Sequence, residues 1–242
     1  MASSTDPAPL DGLTIVLPAY NEEANVAAAI DAARAAGERF ARQVEVIVVD
    51  DGSRDATAEC AIAAAGSDDR VRLLRHEKNR GYGGAVKTGL KAARQPYVFF
   101  TDSDLQFDLG QIGELIPHLA DAPVVVGYRA NRQDPWIRKL NAQAWGTLQR
   151  LVFGIRVRDI DCAFKIFRRD VVAEMPMHSD GAFISTEILA RVMAAGHRIV
   201  EIPVNHYPRR AGAPTGANAA VILKAFREMA ELWGDLRSRG RS

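Results

Sequence analysis

Cysteine is scarce in this sequence: Cys60 and Cys162 are the only two, and they lie far apart in the 242-residue chain. We interpret them as free thiols in a reducing compartment rather than as a disulfide or a metal pair. No apolar run approaches the roughly 18 residues of a membrane span. The segment 1–12 lacks the basic start and the apolar stretch of a secretory signal. We therefore expect a disordered leader over 1–12 and a cytoplasmic protein.

Neither sign of charge is in excess, because 31 Lys and Arg residues face 30 Asp and Glu residues. This near neutrality disfavours a nucleic-acid-binding protein, and the 48% hydrophobic content disfavours a disordered chain. The distribution is uneven, since residues 1–60 carry a net charge of −7 and residues 128–169 one of +7. The basic stretch predicts either an ordinary solvated surface or a cationic surface that meets phosphate or an anionic membrane.

Short apolar segments alternate with alanine-rich helical segments in the first half of the chain. The apolar segments are continuous, which is typical of strands that are covered on both faces. This alternation predicts an α/β fold, a mostly parallel sheet with helices on both faces. The predicted strands are 13–17, 44–49, 71–74, 97–100 and 124–126, and the predicted helices are 23–36, 56–65, 85–93 and 111–119.

The second half of the chain is less regular. Pro203 interrupts an apolar run and predicts an edge strand there, because proline has no N–H to donate to a neighbour. We expect one catalytic domain over 13–216, followed over 217–242 by an amphipathic helix and a basic tail. The predicted elements are helices over 136–153, 186–195 and 219–236 and strands over 164–167 and 199–204.

Polar residues follow three of the predicted strands: the segments 18–22, 50–53 and 102–106. The carboxyl ends of parallel strands share one edge of the sheet, where open α/β sheets bind their ligands, so we expect these loops to converge. Carboxylates that are brought together favour a cation, and the oxygen ligands of Asp and Gln favour Mg²⁺ or Mn²⁺. Any one cluster is compatible with an ordinary turn, but three clusters after three strands indicate a site.

Several competing motifs are missing. The first turn lacks G-x-G-x-x-G, and the segment 81–88 departs from a phosphate loop at Val86. The five histidines show no zinc spacing, and there is no Gly-x-Ser-x-Gly elbow. The glycines at 81, 83 and 84 predict either a flexible entry to a helix or a backbone that approaches a nucleotide closely.

The three clusters together resemble those of family 2 glycosyltransferases, which have the Rossmann-like GT-A fold. Later segments, 126–129, 136–139, 159–164 and 207–212, resemble the branch of dolichyl- or polyprenyl-phosphate mannose or glucose synthases. The resemblance runs from about residue 13 to about residue 216. It implies metal-dependent, inverting transfer of a sugar from a GDP- or UDP-sugar to a polyprenyl phosphate, by an enzyme peripheral to the membrane.

The resemblance also implies a role for each matching residue. Nucleotide-sugar binding falls to Pro18, Tyr20, Glu22, Val49, Asp51, Asp102, Ser103 and Arg209. The metal ligands are Asp102, Asp104 and Gln106, with Mg²⁺ or Mn²⁺ as cofactor. Arg129 and Arg138 face the acceptor phosphate, and the catalytic residues are Asp159, Asp161 and Arg129. The chain departs from the branch at Lys165, where arginine is frequent, and at 214–215, where Ser-Lys is common.

Two alternatives remain open. A soluble glycosyltransferase of the same fold could act on a hydroxyl, with Asp159 or Asp161 as the base. A phosphate monoester has its second pKa near ~6 and needs no base at pH 7, whereas a hydroxyl does. A non-catalytic nucleotide-sugar binder is disfavoured by the intact metal set. The C-terminal helix is predicted to pack on the domain, to form a dimer contact or to lie on an anionic membrane.

Overall fold

The computed structural model of the chain describes residues 6–130, 136–209 and 219–239, and only the backbone of 136–144, 219–222 and 239. Seven strands of the described residues form one sheet: β1 Leu13–Ala19, β2 Val44–Asp50, β3 Val71–Arg75, β4 Tyr97–Thr101, β5 Val124–Arg129, β6 Phe164–Arg168 and β7 Ile199–Val204. The helices are α1 Val26–Phe40, α2 Thr57–Ala65, α3 Tyr82–Ala92, α4 Ile112–Leu115, α5 Trp136–Phe153, α6 Arg169–Val172, α7 Ile184–Ala194 and α8 Ala219–Arg239.

The strands follow the order β3-β2-β1-β4-β6-β5-β7. β1 pairs in parallel with β2 and with β4, so the predicted mostly parallel sheet is confirmed. β6 runs antiparallel to both of its neighbours, β4 and β5. β7 lies at the edge, in agreement with the position of Pro203. The carboxyl ends of β1, β2 and β4 therefore lie side by side at one edge of the sheet.

Helices cover both faces of the sheet, as predicted. Successive side chains of a strand point to opposite faces. Ile15 and Leu17 of β1 accordingly pack in the cluster that includes α1, whereas Val16 packs in the cluster that includes α3 and α7. The contact with α3 is close: a Cβ on Gly89 would lie 2.2 Å from Cγ1 of Val16. This explains why glycine occupies that position in the helix.

The prediction of one regular helix over 111–119 is wrong. The segment is a 3-10 turn over Leu109–Gln111, the single turn of α4, and a second 3-10 turn over Ile116–Ala120. Pro117 stands at the start of the last turn. Because proline has no N–H and its ring clashes with the preceding turn, a regular α-helix cannot continue through it.

Both ends of the described chain contact the domain. Of the predicted leader 1–12, residues 6–12 are described. Leu10 there is buried and forms a bridge with Ala41. At the other end, Leu232 of α8 is buried, and Asp235 pairs with Arg191 at 2.7 Å. The predicted C-terminal helix is thus confirmed and packs on the body of the protein. No helix among the described residues combines the length and the apolar character needed to traverse a bilayer.

Candidate active site

The loops after β1 and β2 are joined by hydrogen bonds. The backbone N–H of Asn21 donates to Oγ of Ser53 at 2.9 Å, and Oδ1 of Asn21 accepts from the N–H of Arg54 at 2.9 Å. Asn21 has a φ of +54°, a left-handed conformation that asparagine tolerates better than most residues. The N–H of Asp51 also donates to the carbonyl of Ala19 at 2.9 Å. These two loops converge as the sequence predicts.

The loop after β4 is tied to the same edge of the sheet. The buried hydroxyl of Ser103 donates to the carbonyl of Pro18 at 2.7 Å. Nε2 of Gln106 donates to the carbonyl of Tyr207 at 2.9 Å, and the N–H of Tyr207 donates to the carbonyl of Gln106 at 2.8 Å. The loop 102–106 is therefore held on one side by β1 and on the other by the segment that follows β7.

Arg209 lies between two carboxylates from different loops. Its guanidinium hydrogen-bonds to Glu22, and Nη1 lies 3.9 Å from Oδ2 of Asp104. Glu22 in turn accepts from Nδ2 of Asn25 at 2.7 Å. Three residues assigned to the donor and metal sites from distant parts of the sequence are thus in contact. The guanidinium partly offsets the negative charge that collects at this edge.

Asp102 and Asp104 form the candidate metal site. Burial, and then the charge of Asp104, raise the pKa of Asp102 to about 7, although the hydroxyl of Tyr82 acts to lower it. Burial also raises the pKa of Asp104. The surroundings disfavour the ionised form of both carboxylates, and a bound cation would stabilise that form. Within the described ranges, no three His, Cys, Asp or Glu side chains cluster as metal ligands.

The oxygen set of this site fits Mg²⁺ or Mn²⁺ bound together with a substrate. Mg²⁺ is commonly held by one or two carboxylates, and its other positions are filled by substrate phosphates and water. Asp102 and Asp104 provide the carboxylates, and Gln106 is close by in the same loop.

Asp51 is buried, and both of its carboxylate oxygens accept hydrogen bonds within the protein. Nδ1 of His76 lies 2.6 Å from its Oδ1, which also accepts from the N–H of Arg80 at 2.8 Å. Its Oδ2 accepts from the N–H of Gly81 at 2.8 Å. The carboxylate therefore anchors the start of α3 beside the loop after β1. A direct contact between Asp51 and a nucleotide remains a prediction.

Arg129 and Asp159 form a half-buried pair. Nε and Nη2 of Arg129 donate to the two carboxylate oxygens of Asp159 at 2.7 and 2.8 Å. Burial alone would lower the pKa of Arg129, but the hydrogen bonds and the charge of Asp159 raise it overall. Glu201 accepts from the backbone N–H of Asp159 at 3.1 Å and fixes that backbone. Since both of its oxygens face Arg129, Asp159 is placed to orient the arginine.

The other predicted site residues differ in their surroundings. Tyr20 directly follows β1 and is partly buried, whereas Pro18 and Val49 are buried within the sheet. Asp161 is exposed in the loop before β6. The side chain of Arg138, and residues 210–212 of the last motif, lie outside the described residues.

Sequence analysis assigned no role to two residues beside the site. Tyr82, whose hydroxyl acts to lower the pKa of Asp102, stands among glycines and gives no local signal. Lys165 is completely buried in β6, where Nζ donates to the carbonyl of Cys162 and lies 5.3 Å from the ring centre of Phe100. Burial lowers the pKa of Lys165. A lone lysine within an apolar strand is a signal that could have identified it, because buried lysine is rare.

The fold is shared with glucosyl-3-phosphoglycerate synthase from Mycobacterium tuberculosis. For its complex with UDP the TM-score is 0.73 at 21% identity, over 93% of this chain and 80% of that one. For its complex with Mn²⁺, UDP and glucosyl-3-phosphoglycerate the TM-score is 0.71 at 20% identity, over the same shares of the two chains. These likenesses confirm the predicted fold.

Sequence comparison identifies the family. The chain is 34% identical over 207 residues to undecaprenyl-phosphate 4-deoxy-4-formamido-L-arabinose transferase of Pectobacterium carotovorum, over 84% of this chain and 62% of that protein. It is 32% identical to glycosyltransferase AglD of Haloferax volcanii, over 81% of this chain and 33% of that protein. The chain thus spans less than two thirds of the length of these relatives. Residues 14–175 match glycosyl transferase family 2, and the chain belongs to this family.

Proposed function

We propose that this protein transfers a sugar from a nucleoside diphosphate sugar to a polyprenyl phosphate, with Mg²⁺ or Mn²⁺ as cofactor. The observation that carries the proposal is the meeting of Glu22, Asp104 and Arg209, beside Asp102, at the carboxyl edge of the sheet. A relative at 34% identity is named as an undecaprenyl-phosphate sugar transferase. A protein of the same fold binds UDP with Mn²⁺.

Asp102 and Asp104 would hold the divalent cation, which when bound offsets the charge of the departing diphosphate. Arg209, beside Asp104, is placed to bind the same diphosphate oxygens. An oxygen of the acceptor attacks the anomeric carbon from the face opposite the diphosphate. The new C–O bond forms as the bond to the diphosphate breaks, and that electron pair leaves with the nucleoside diphosphate. The configuration at the carbon is inverted.

Arg129 is the candidate contact for the acceptor phosphate. Its planar guanidinium can bind two phosphate oxygens at once, and Asp159 holds it in one orientation. A phosphate monoester is largely ionised at pH 7 and so attacks without a base. We place the enzyme on an anionic membrane surface, because a polyprenyl acceptor is confined to the bilayer.

A hydroxyl acceptor is the second candidate. The exposed carboxylate of Asp161 favours it, since a base for a hydroxyl must be within reach of the acceptor. The two candidates share the donor, the metal ligands and the fold, and they differ only in the group that attacks.

The test uses labelled GDP- and UDP-sugars with a membrane lipid extract and Mg²⁺ or Mn²⁺. We expect label to enter the organic phase, and we expect chelator or Asp104→Asn to reduce this by at least about a hundredfold, the loss of roughly 3 kcal/mol of charge stabilisation. Asp121→Asn, which neutralises an exposed carboxylate remote from these loops in sequence, serves as the control. Full transfer by Asp104→Asn, or in excess chelator, contradicts the metal-dependent mechanism.

A further inference from the structure

The loop 178–181 lies between the start of α3 and helix α8. On the α3 side, the N–H of Gly83 donates to the carbonyl of Asp180 at 2.9 Å. Nζ of Lys87 donates to Oδ1 of Asp180 at 2.6 Å and to the carbonyl of His178 at 3.2 Å. The first turns of α3 are therefore bound directly to this loop.

The glycines at the start of α3 are explained by the same contact. A Cβ at Gly81 would lie 2.3 Å from the carbonyl oxygen of Asp180, and Gly81 has a φ of +91°. A Cβ at Gly83 would lie 2.6 Å from the carbonyl oxygen of Ser179. Both distances are too short for any side chain. These glycines allow two backbone segments to pack closely, without any nucleotide.

On the opposite side, the loop is held by Glu228 of α8. Oε1 of Glu228 accepts from the N–H of Asp180 at 3.1 Å and from the N–H of Gly181 at 3.3 Å. Glu228 is only 9% exposed, and its Oε2 is buried with no hydrogen-bond partner in the described part of the chain. A buried carboxylate with incomplete hydrogen bonding costs free energy. The two backbone bonds to the loop offset that cost, together with Lys224, whose Nζ lies 3.8 Å from Oε1 of Glu228.

The start of α3 also reaches the candidate active site. The N–H groups of Arg80 and Gly81 bind the carboxylate of Asp51, in the loop after β2. The next residue, Tyr82, is close enough to Asp102, a candidate metal ligand, for its hydroxyl to lower the pKa of that carboxyl. A continuous set of hydrogen bonds thus connects α8, through the loop 178–181 and the start of α3, to Asp51 in the loop after β2.

We infer that Glu228 is a positioning residue for the donor site: it fixes the loop 178–181 and through it the first turn of α3, which holds Asp51. This inference rests on the proposed function, which identifies the loops that follow the strands as the donor site. Helix α8 is accordingly a part of the donor-binding machinery, although none of the contacts above places it at the loops that follow the strands.

The test compares Glu228→Ala and Glu228→Gln with Glu231→Ala. Glu231 lies on the same helix with an exposed side chain that pairs with Arg227, so its loss matches the change in charge. Hydrogen exchange reports the amides of 80–85, and calorimetry reports the Kd of UDP and of GDP with Mn²⁺. We expect Glu228→Ala to speed exchange in 80–85 and to weaken nucleotide binding by about fivefold or more. Glu228→Gln keeps an oxygen acceptor and should stay near the wild-type values.

A purely structural role for Glu228 would lower the melting temperature of Glu228→Ala but leave the nucleotide Kd unchanged. That result, or equal exchange and equal Kd in Glu228→Ala and Glu231→Ala, overturns the inference. If Glu228→Ala does not fold, Lys87→Met breaks the contact from the α3 side, and the same exchange and Kd changes are expected of it. Failure of both nucleotides to bind the wild-type protein contradicts the proposed function instead, and the exchange measurement then decides the inference alone.

Discussion

The surroundings of Asp102 disfavour its negative charge. This residue follows the buried strand β4, and burial and the neighbouring Asp104 raise its pKa to about 7. Between about pH 4 and pH 7, Asp102 is therefore protonated in the folded protein and ionised in the unfolded chain. The sign follows: this group favours the folded state at low pH, and that contribution is lost as the pH rises through 7. The site retains a charge that costs stability, which is typical of a functional carboxylate.

Asp102→Asn should therefore stabilise the protein more at pH 8 than at pH 5, because the penalty for Asp102 begins where the unfolded chain ionises, near pH 4, and grows until about pH 7, whereas the amide is neutral throughout. The measurement is the melting temperature of both proteins in metal-free buffer. For a domain of this size each kcal/mol corresponds to roughly 2–4 °C. Asp121→Asn is the control, and no difference between pH 5 and pH 8 is expected for it. A gap between Asp102→Asn and wild type that does not widen from pH 5 to pH 8 contradicts the raised pKa.

The acceptor class is also decided at the scale of single residues. If the acceptor is a lipid phosphate, Arg138→Ala should impair transfer much more than donor hydrolysis, Arg138→Lys should restore only part of the activity, and Asp161→Asn should be mild. A hydroxyl acceptor reverses this order, because Asp161 would then serve as the base. Both variants are assayed with one labelled donor, on lipid phosphate and on simple alcohols in parallel. Near-normal transfer by Arg138→Ala together with severely impaired transfer by Asp161→Asn contradicts the lipid-phosphate acceptor.

Helix α8 has two different faces. One carries Glu228 and Leu232, which are buried against the domain. The other exposes three large apolar side chains, Leu223, Phe226 and Trp233, and the basic side chains Lys224, Arg227 and Arg237 accompany them. Of the three arrangements that the sequence left open for this helix, packing on the domain is present. The exposed face is the part that can still meet a membrane.

Leu223→Ser combined with Trp233→Ser should weaken binding to vesicles that contain anionic lipid. The apolar side chains would lie at the interface, while basic residues near it contribute roughly 1 kcal/mol each. Co-sedimentation measures the bound fraction, which should also fall with added salt. Ile62→Ser removes an exposed apolar side chain from α2 and is the control. Equal binding by the double variant and the control would show that α8 is not the membrane contact.

At the scale of the whole molecule, one reversed strand organises the site. β6 runs antiparallel between β4 and β5, so its amino end, with the preceding Asp159 and Asp161, lies at the edge where β4 and β5 end. This places the pair of Arg129 and Asp159 on the same edge as Asp102 and Asp104. The basic stretch 128–169 thus begins at the same edge as the donor loops. Contact of this stretch with phosphate or an anionic membrane is still a prediction.

The sequence by itself determined most of the elements, though not the broken helix over 109–120, and it determined the parallel part of the sheet and the three loops that meet at its edge. Continuous apolar strands and the polar residues that follow them are local patterns, and parallel pairing brings equivalent strand ends together. Only the tertiary structure decided that Asp159 pairs with Arg129, that Asp51 binds the start of α3 and that Glu228 reaches the loop 178–181. Such contacts join residues far apart in the chain, and their partners depend on packing geometry that no local pattern encodes.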